Sequence, residues 1–168
     1  MTNICNPDQT YVDYKVSENF WFSELIHSDT ADRNHISNYP SKQHEKNLID
    51  SCTNLWQPMR RFLGNVVIVS CAYRSERVNE LVGGSSTSAH KYGYAMDFKC
   101  PSFGTPYEVV NFLSKVLPKY GIKFDQIICE FNSWIHIAWK SPSGKQRGQI
   151  LTAKKVNGKT KYLTGLVK

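Results

Sequence analysis

A chain of 168 residues, 40% hydrophobic and 21% charged, has the length and composition of one soluble domain with a real hydrophobic core. No apolar run reaches bilayer-spanning length, which excludes membrane insertion through a helix, and the opening MTNICNPDQT lacks a basic segment followed by an apolar one, so no signal peptide is expected. The net charge of +7 is uneven: eight of the 21 Lys and Arg follow position 139 with no acid among them, leaving 13 bases against 14 acids before it.

The basic residues of that tail are Lys140, Lys145, Arg147, Lys154, Lys155, Lys159, Lys161 and Lys168. Such a stretch favours an anionic polymer, with a solvated lysine face as the plain alternative. Nucleic acid is disfavoured as the partner, because no recognised reading motif accompanies the charge. Five cysteines (Cys5, Cys52, Cys71, Cys100, Cys129) are odd in number and never spaced CxxC, against both a disulfide framework and a cysteine-zinc site. Cys71, Cys100 and Cys129 close apolar runs and are expected as small core residues, made in a reducing compartment.

In chain order, the first ten residues read as a loose lead-in. Residues 17–31 mix Phe20, Trp21 and Phe22 with a short helical piece around 24–27. Residues 41–63 carry the longest helical periodicity (Leu48, Cys52, Leu55, Met59, Phe62), with Pro58 predicted to bend or break its last turns. Asn65–Cys71 is β-branched and predicts a buried strand. A short helix over 76–82 closes at Gly83–Gly84, and a polar loop over 85–88 leads to a strand over 93–99. Thr105 caps an amphipathic helix running to Leu117, with Pro106 at its first position. Residues 124–131 and 134–139 read as paired strands, and Asn157–Gly158 joins 149–156 to 159–163 as a hairpin. The pattern predicts a single α+β domain over 1–168, mostly antiparallel, with helices flanking the sheet, a core of about 17–163 and a basic hairpin over 149–163.

Chemistry concentrates in Ser88-Ala-His-Lys-Tyr-Gly-Tyr-Ala-Met-Asp97. A catalytic zinc ion needs nitrogen or oxygen ligands and one open position. His90 offers an imidazole, and Asp97 lies on the strand reached through a turn that Gly93 permits. A third ligand must come from elsewhere. His136, alternating on one strand face with Trp134 and Ala138, is the best candidate. His27, His35 and His44 show no ligand spacing, and His44 falls on a polar helix face where solvation is expected.

The segment matches the signature SxHxxGxAxD at Ser88, His90, Gly93, Ala95 and Asp97. Tyr73-Arg-Ser, Asn79 and Gly83-Gly84-Ser85 upstream, with residues 124–136 downstream, extend the likeness; Phe22-Ser-Glu-Leu and Ser28-Asp-Thr-Ala are similar to bacteriophage members. Together they resemble the D-alanyl-D-alanine carboxypeptidase group of zinc peptidases, which includes phage L-alanyl-D-glutamate endolysins and belongs with lysostaphin-type and hedgehog-like folds.

That resemblance implies one zinc ion on His90, Asp97 and His136. It implies Arg74 holding a substrate carboxylate or the developing oxyanion, for which a planar guanidinium is suited; a surface arginine opening a helix is the alternative. Family members often carry an acid three residues before the last histidine, where this chain has Ser133. The general base is therefore expected at Glu130, with Asp125 as fallback. Glu130 faces the metal only if the connecting turn is odd in length or bulged. Ser88, Tyr92 and Trp134 are expected along the substrate cleft. The implied activity is hydrolysis of peptidoglycan stem peptides by a monomeric, endolysin-type endopeptidase. It would be made in the cytoplasm (the host's, if phage-encoded) and act at the cell wall or periplasm, with the basic tail meeting an anionic wall polymer. A D,D-carboxypeptidase or dipeptidase acting on D-Ala-D-Ala termini, and a non-catalytic zinc-stabilised binding module, are the competing readings.

Overall fold

Strand alternation sorts this chain into layers. The computed structural model describes residues 2–4 and 10–168, with side chains from residue 12 onward; Cys5 lies outside the described residues. The expected loose lead-in contains two short strands, β1 (Thr2–Ile4) and β2 (Thr10–Val12), paired antiparallel. The remaining strands are β3 (Ile68–Cys71), β4 (Ala95–Lys99), β5 (Gln126–Glu130), β6 (Trp134–Ala138), β7 (Gln149–Val156) and β8 (Lys159–Thr164). They form one sheet in the order β3-β4-β6-β5-β7-β8. Among the described residues only β5 and β7 pair in parallel, so the α+β, mostly antiparallel class holds.

The helices are α1 (Phe22–Ile26), α2 (Asp29–Asn34), α3 (Lys42–Ser51), α4 (Gln57–Leu63), α5 (Glu76–Leu81) and α6 (Pro106–Lys119). Met96 and Phe98 of β4, Ile127 and Cys129 of β5, and Ile135 and Ile137 of β6 are buried in one core with Leu48, Trp56, Met59, Val109 and Leu113. Because strand residues alternate, Asp97, His136 and Glu130 are left on the other face. Thr105 caps α6 as expected, and Glu108 reaches back to the Thr105 backbone, closing a reciprocal capping box that the sequence reading did not include. None of the described helices is long and apolar enough to cross a membrane.

Two elements differ from expectation. The predicted helix over 41–63 is interrupted before Pro58, not after it. Proline has no N–H and its ring collides with the carbonyl four residues back. The chain responds by widening into a π segment, Cys52–Trp56, in which Gln57 N–H bonds the Cys52 carbonyl, and Pro58 then sits at the start of α4. The predicted buried strand at 65–71 is an edge strand, with Val66 65% and Ile68 52% exposed. β-branched composition reports extended backbone, not the number of covered faces.

The parallel β5–β7 pair needs a crossover, and Asp125 secures it. Buried at 1% exposure, Asp125 receives Arg147 Nε at 2.7 Å and Nη2 at 2.6 Å, while Gln149 N–H donates to its carbonyl. Arg147→Ala would strand that carboxylate. Breaking a buried pair costs about 3–5 kcal/mol, and the guanidinium's partial exposure sets the expectation at about 3 kcal/mol. Urea denaturation checks this, and adding Asp125→Asn should recover much of the loss.

Candidate metal centre

The path from His90 to Asp97 is held from below by α3. A 3-10 turn, Ala89–Tyr92, carries His90, and Gly93 ends it at φ 73°. Asn47 Nδ2 donates to the Tyr92 carbonyl at 2.8 Å, and Ser51 Oγ donates to the Gly93 carbonyl at 2.9 Å. A Cβ on Gly93 would lie 2.7 Å from the His44 carbonyl oxygen and 3.0 Å from Leu48 Cγ. Gly93→Ala combines a left-handed backbone with a collision against helix backbone, so a loss of about 2–4 kcal/mol is expected in thermal unfolding.

Cross-strand register brings the aspartate and the second histidine together. Asp97 on β4 faces His136 on β6, and the 3-10 turn lays His90 against both. His136 Nδ1 is 2.9 Å from Asp97 Oδ1, His90 Nε2 is 3.2 Å from His136 Nδ1, and His90 Nε2 is 3.3 Å from Asp97 Oδ1. Tetrahedral ligands about 2.0–2.1 Å from one zinc ion stand about 3.3 Å apart, so this triangle of two nitrogens and an oxygen has the right donors and edges.

The tautomer agrees. His90 Nδ1 lies 2.7 Å from the Ala72 carbonyl oxygen, which can only accept, so the proton is on Nδ1 and the Nε2 lone pair faces the triangle. Burial lowers the His90 pKa and keeps the ring neutral, as a ligand requires. Burial opposes the charge on Asp97, but the neighbouring imidazoles, His136 Nδ1 at 2.9 Å among them, outweigh it and lower its pKa, keeping the carboxylate ionised.

Cys71, expected in the core, points to this site instead. β3 is bulged between Val69 and Cys71: Val69 pairs with Phe98 of the core face, whereas Cys71 pairs with Asp97. Without the bulge, Cys71 would follow Val69 inward. Cys71, His90 and Asp97 can bring one donor atom each within 4.8 Å of the others, so a thiolate is a second candidate ligand. Its Sγ lies 3.9 Å from His90 Nδ1, the ring edge already committed to Ala72, whereas His136 meets the free Nε2. Burial pushes the thiol up to about 12. His136 therefore completes the tighter set. Cys100 and Cys129 are in the core, as expected.

Arg74 is half-buried beside this cluster, its charge opposing protonation of His90 and favouring the Cys71 thiolate. Its Nε is buried without a hydrogen-bond partner, and it makes no ion pair among the described residues. Gly84 leaves room for it, since a Cβ there would lie 3.1 Å from Arg74 Nη1 and 2.2 Å from Asn79 Oδ1.

Glu130 pairs with Trp134 across the three-residue turn Phe131–Asn132–Ser133, an odd length that puts both on the His136 face. Phe131 and Asn132 accommodate it at φ 53° and 49°. Burial raises the Glu130 pKa, with His136 opposing and the Asp97 charge adding to the shift. Asp125 is spent on Arg147 at the far end of β5, which removes it as the fallback base.

The ring of Trp134 stacks obliquely on Phe131, 5.4 Å between centroids. Tyr92 packs against His44 and Tyr94. His44 is not simply solvated: it is half-buried, its Nδ1 lies 3.2 Å from the Tyr73 hydroxyl, and burial lowers its pKa. Ser88 opens the 3-10 turn without a side-chain cap bond. His27 gathers with Asp29 and Asp32 on an exposed surface, and His35 takes a left-handed conformation at the end of α2. A cavity of about 720 Å³, lined by Tyr107, Phe131, Thr152 and Lys154 among others, includes none of the three donor residues.

Curated proteins give no match to the chain. The family model for Peptidase M15 matches residues 18–138, which contain all three donors, Arg74 and Glu130. With that match spanning most of its length, the chain belongs to the Peptidase M15 family of zinc-dependent metallopeptidases.

Proposed function

We propose that this protein hydrolyses peptide bonds in the stem peptides of bacterial peptidoglycan, as an endolysin-type endopeptidase, with zinc held by His90, Asp97 and His136. The donor triangle with edges of 2.9–3.3 Å carries the reading, and family membership supports the substrate class. Zinc, when bound, supplies a Lewis acid and an acidified water. Glu130, on the same sheet face and with its pKa raised by burial, makes a stronger base there; as the carboxylate it accepts the proton of the attacking water and returns it to the leaving amine. Arg74, whose charge meets no carboxylate in an ion pair among the described residues, holds the substrate oxygen on which negative charge gathers. The same guanidinium suits a terminal carboxylate, the observation that favours a D,D-carboxypeptidase as the second reading.

Digestion of purified murein, with mass spectrometry of the new ends, tests this directly. Internal stem-peptide cleavage is expected, lost with a chelator and restored by zinc. Release of terminal D-alanine alone would select the carboxypeptidase. Murein left intact by folded, zinc-loaded protein would contradict both.

A further inference from the structure

The family match ends at residue 138, yet the sheet does not. β7 and β8 extend it on the Glu130 side, and their register reaches the reacting face. Glu130 pairs with Ala153, and Ala153 pairs with Tyr162, so all three share one face with Trp134 on β6. Ala153 is fully buried and offers only a methyl as floor between Glu130 and the tyrosine.

Tyr162 is 57% exposed, and its hydroxyl makes no hydrogen bond among the described residues. Burial and then the charges of Glu130 and Asp97 raise its pKa, so the field of the centre reaches it. Lys155, two residues beyond Ala153, presents to the same face. It has no acidic partner among the described residues; its Nζ bonds Thr160 Oγ1 at 2.9 Å and stands 5.4 Å from the centre of the Phe131 ring. Lys159 and Lys161 alternate to the opposite face.

We infer that the β7–β8 hairpin forms the second wall of the cleft, where Lys155 and Tyr162 make a subsite for a carboxylate of an acidic peptide substrate. Three strand spacings of about 4.8 Å separate β6 from β8, which an extended peptide covers in about four residues. The subsite therefore reads a position within a few residues of the scissile bond. The ammonium and the phenolic hydroxyl can both donate, and the ammonium's charge favours a carboxylate over its neutral amide. This assignment deepens the proposed peptidase function and rests on it.

Binding separates the two claims. The full chain carrying Glu130→Gln, loaded with zinc, is titrated calorimetrically with two synthetic stem peptides, one bearing a free glutamyl α-carboxylate and the other amidated there. The acidic peptide is expected to bind about three- to tenfold more tightly. Adding Lys155→Met or Tyr162→Phe should reduce that preference, Lys155→Met more, and Lys161→Met should leave it intact. Equal affinity for the two peptides, or a preference that survives both Lys155→Met and Tyr162→Phe, would overturn the subsite. Cleavage of the same peptides by the unmutated protein is read separately: a binding preference without cleavage keeps the subsite and rejects the peptidase.

Discussion

Glu130→Gln is expected to keep one zinc ion per chain and to lose turnover on murein peptides by about 100- to 10,000-fold, the usual contribution of a positioned general base. Glutamine preserves the shape and remains polar, so the cross-strand pairing with Trp134 and the three-residue turn should persist. Stability should move the other way. A carboxyl whose folded pKa lies above its unfolded one favours the fold fully below the unfolded value, and this contribution is lost as pH rises through the folded value. At neutral pH the metal-free variant should therefore melt above the parent, and the difference should vanish in acid, where Glu130 is protonated in both states. Paired turnover and melting curves check both halves. Undiminished turnover would place the base elsewhere; unchanged melting would remove the burial argument.

His136→Ala should weaken zinc binding by on the order of 100-fold or more, beyond the 10- to 100-fold typical of losing a partner behind a ligand, and abolish hydrolysis. The fold should survive. His136 lies on the face away from the helix-packed core, whose neighbouring contributors Ile135 and Ile137 remain. Competition with a chromogenic chelator measures the affinity, and circular dichroism reports the fold. Cys71→Ser supplies the contrast: it should leave affinity within a few-fold, because the thiol faces the imidazole nitrogen already bonded to the Ala72 carbonyl. The reverse ranking would make Cys71 the third ligand.

Much of this geometry was legible because it is local. Thr105 and Pro106 specify a helix start locally, one through its capping side chain and the other through its fixed φ, and Asn157–Gly158 specifies a hairpin through two positive φ angles, 51° and 74°. The spacing from His90 to Asp97 was readable for the same reason: one turn and one strand connect them. His136 could be placed on a strand face, but its meeting with Asp97 depends on β4 and β6 being neighbours, which no local pattern encodes.

What escaped the sequence is set by tertiary contacts. The β3 bulge turns Cys71 by one face, and alternation has no sign of it beforehand. Pro58 announced an irregular helix, but whether the irregularity falls before or after it depends on how Trp56 and Met59 reach the core. Asp125 looked available as a base because Arg147, its partner, lies 22 residues away across a parallel pairing. Arg147 in turn was counted with the free charges of the tail, when it is spent inside the fold.

Zinc K-edge X-ray absorption on the stoichiometrically loaded protein bears most directly on the metal centre. Coordination by His90, Asp97 and His136 predicts a first shell of nitrogen and oxygen alone at about 2.0–2.2 Å, with imidazole scattering from two rings. A sulfur scatterer at about 2.3 Å would put Cys71 in the shell and contradict the assignment, as would the signature of a single imidazole.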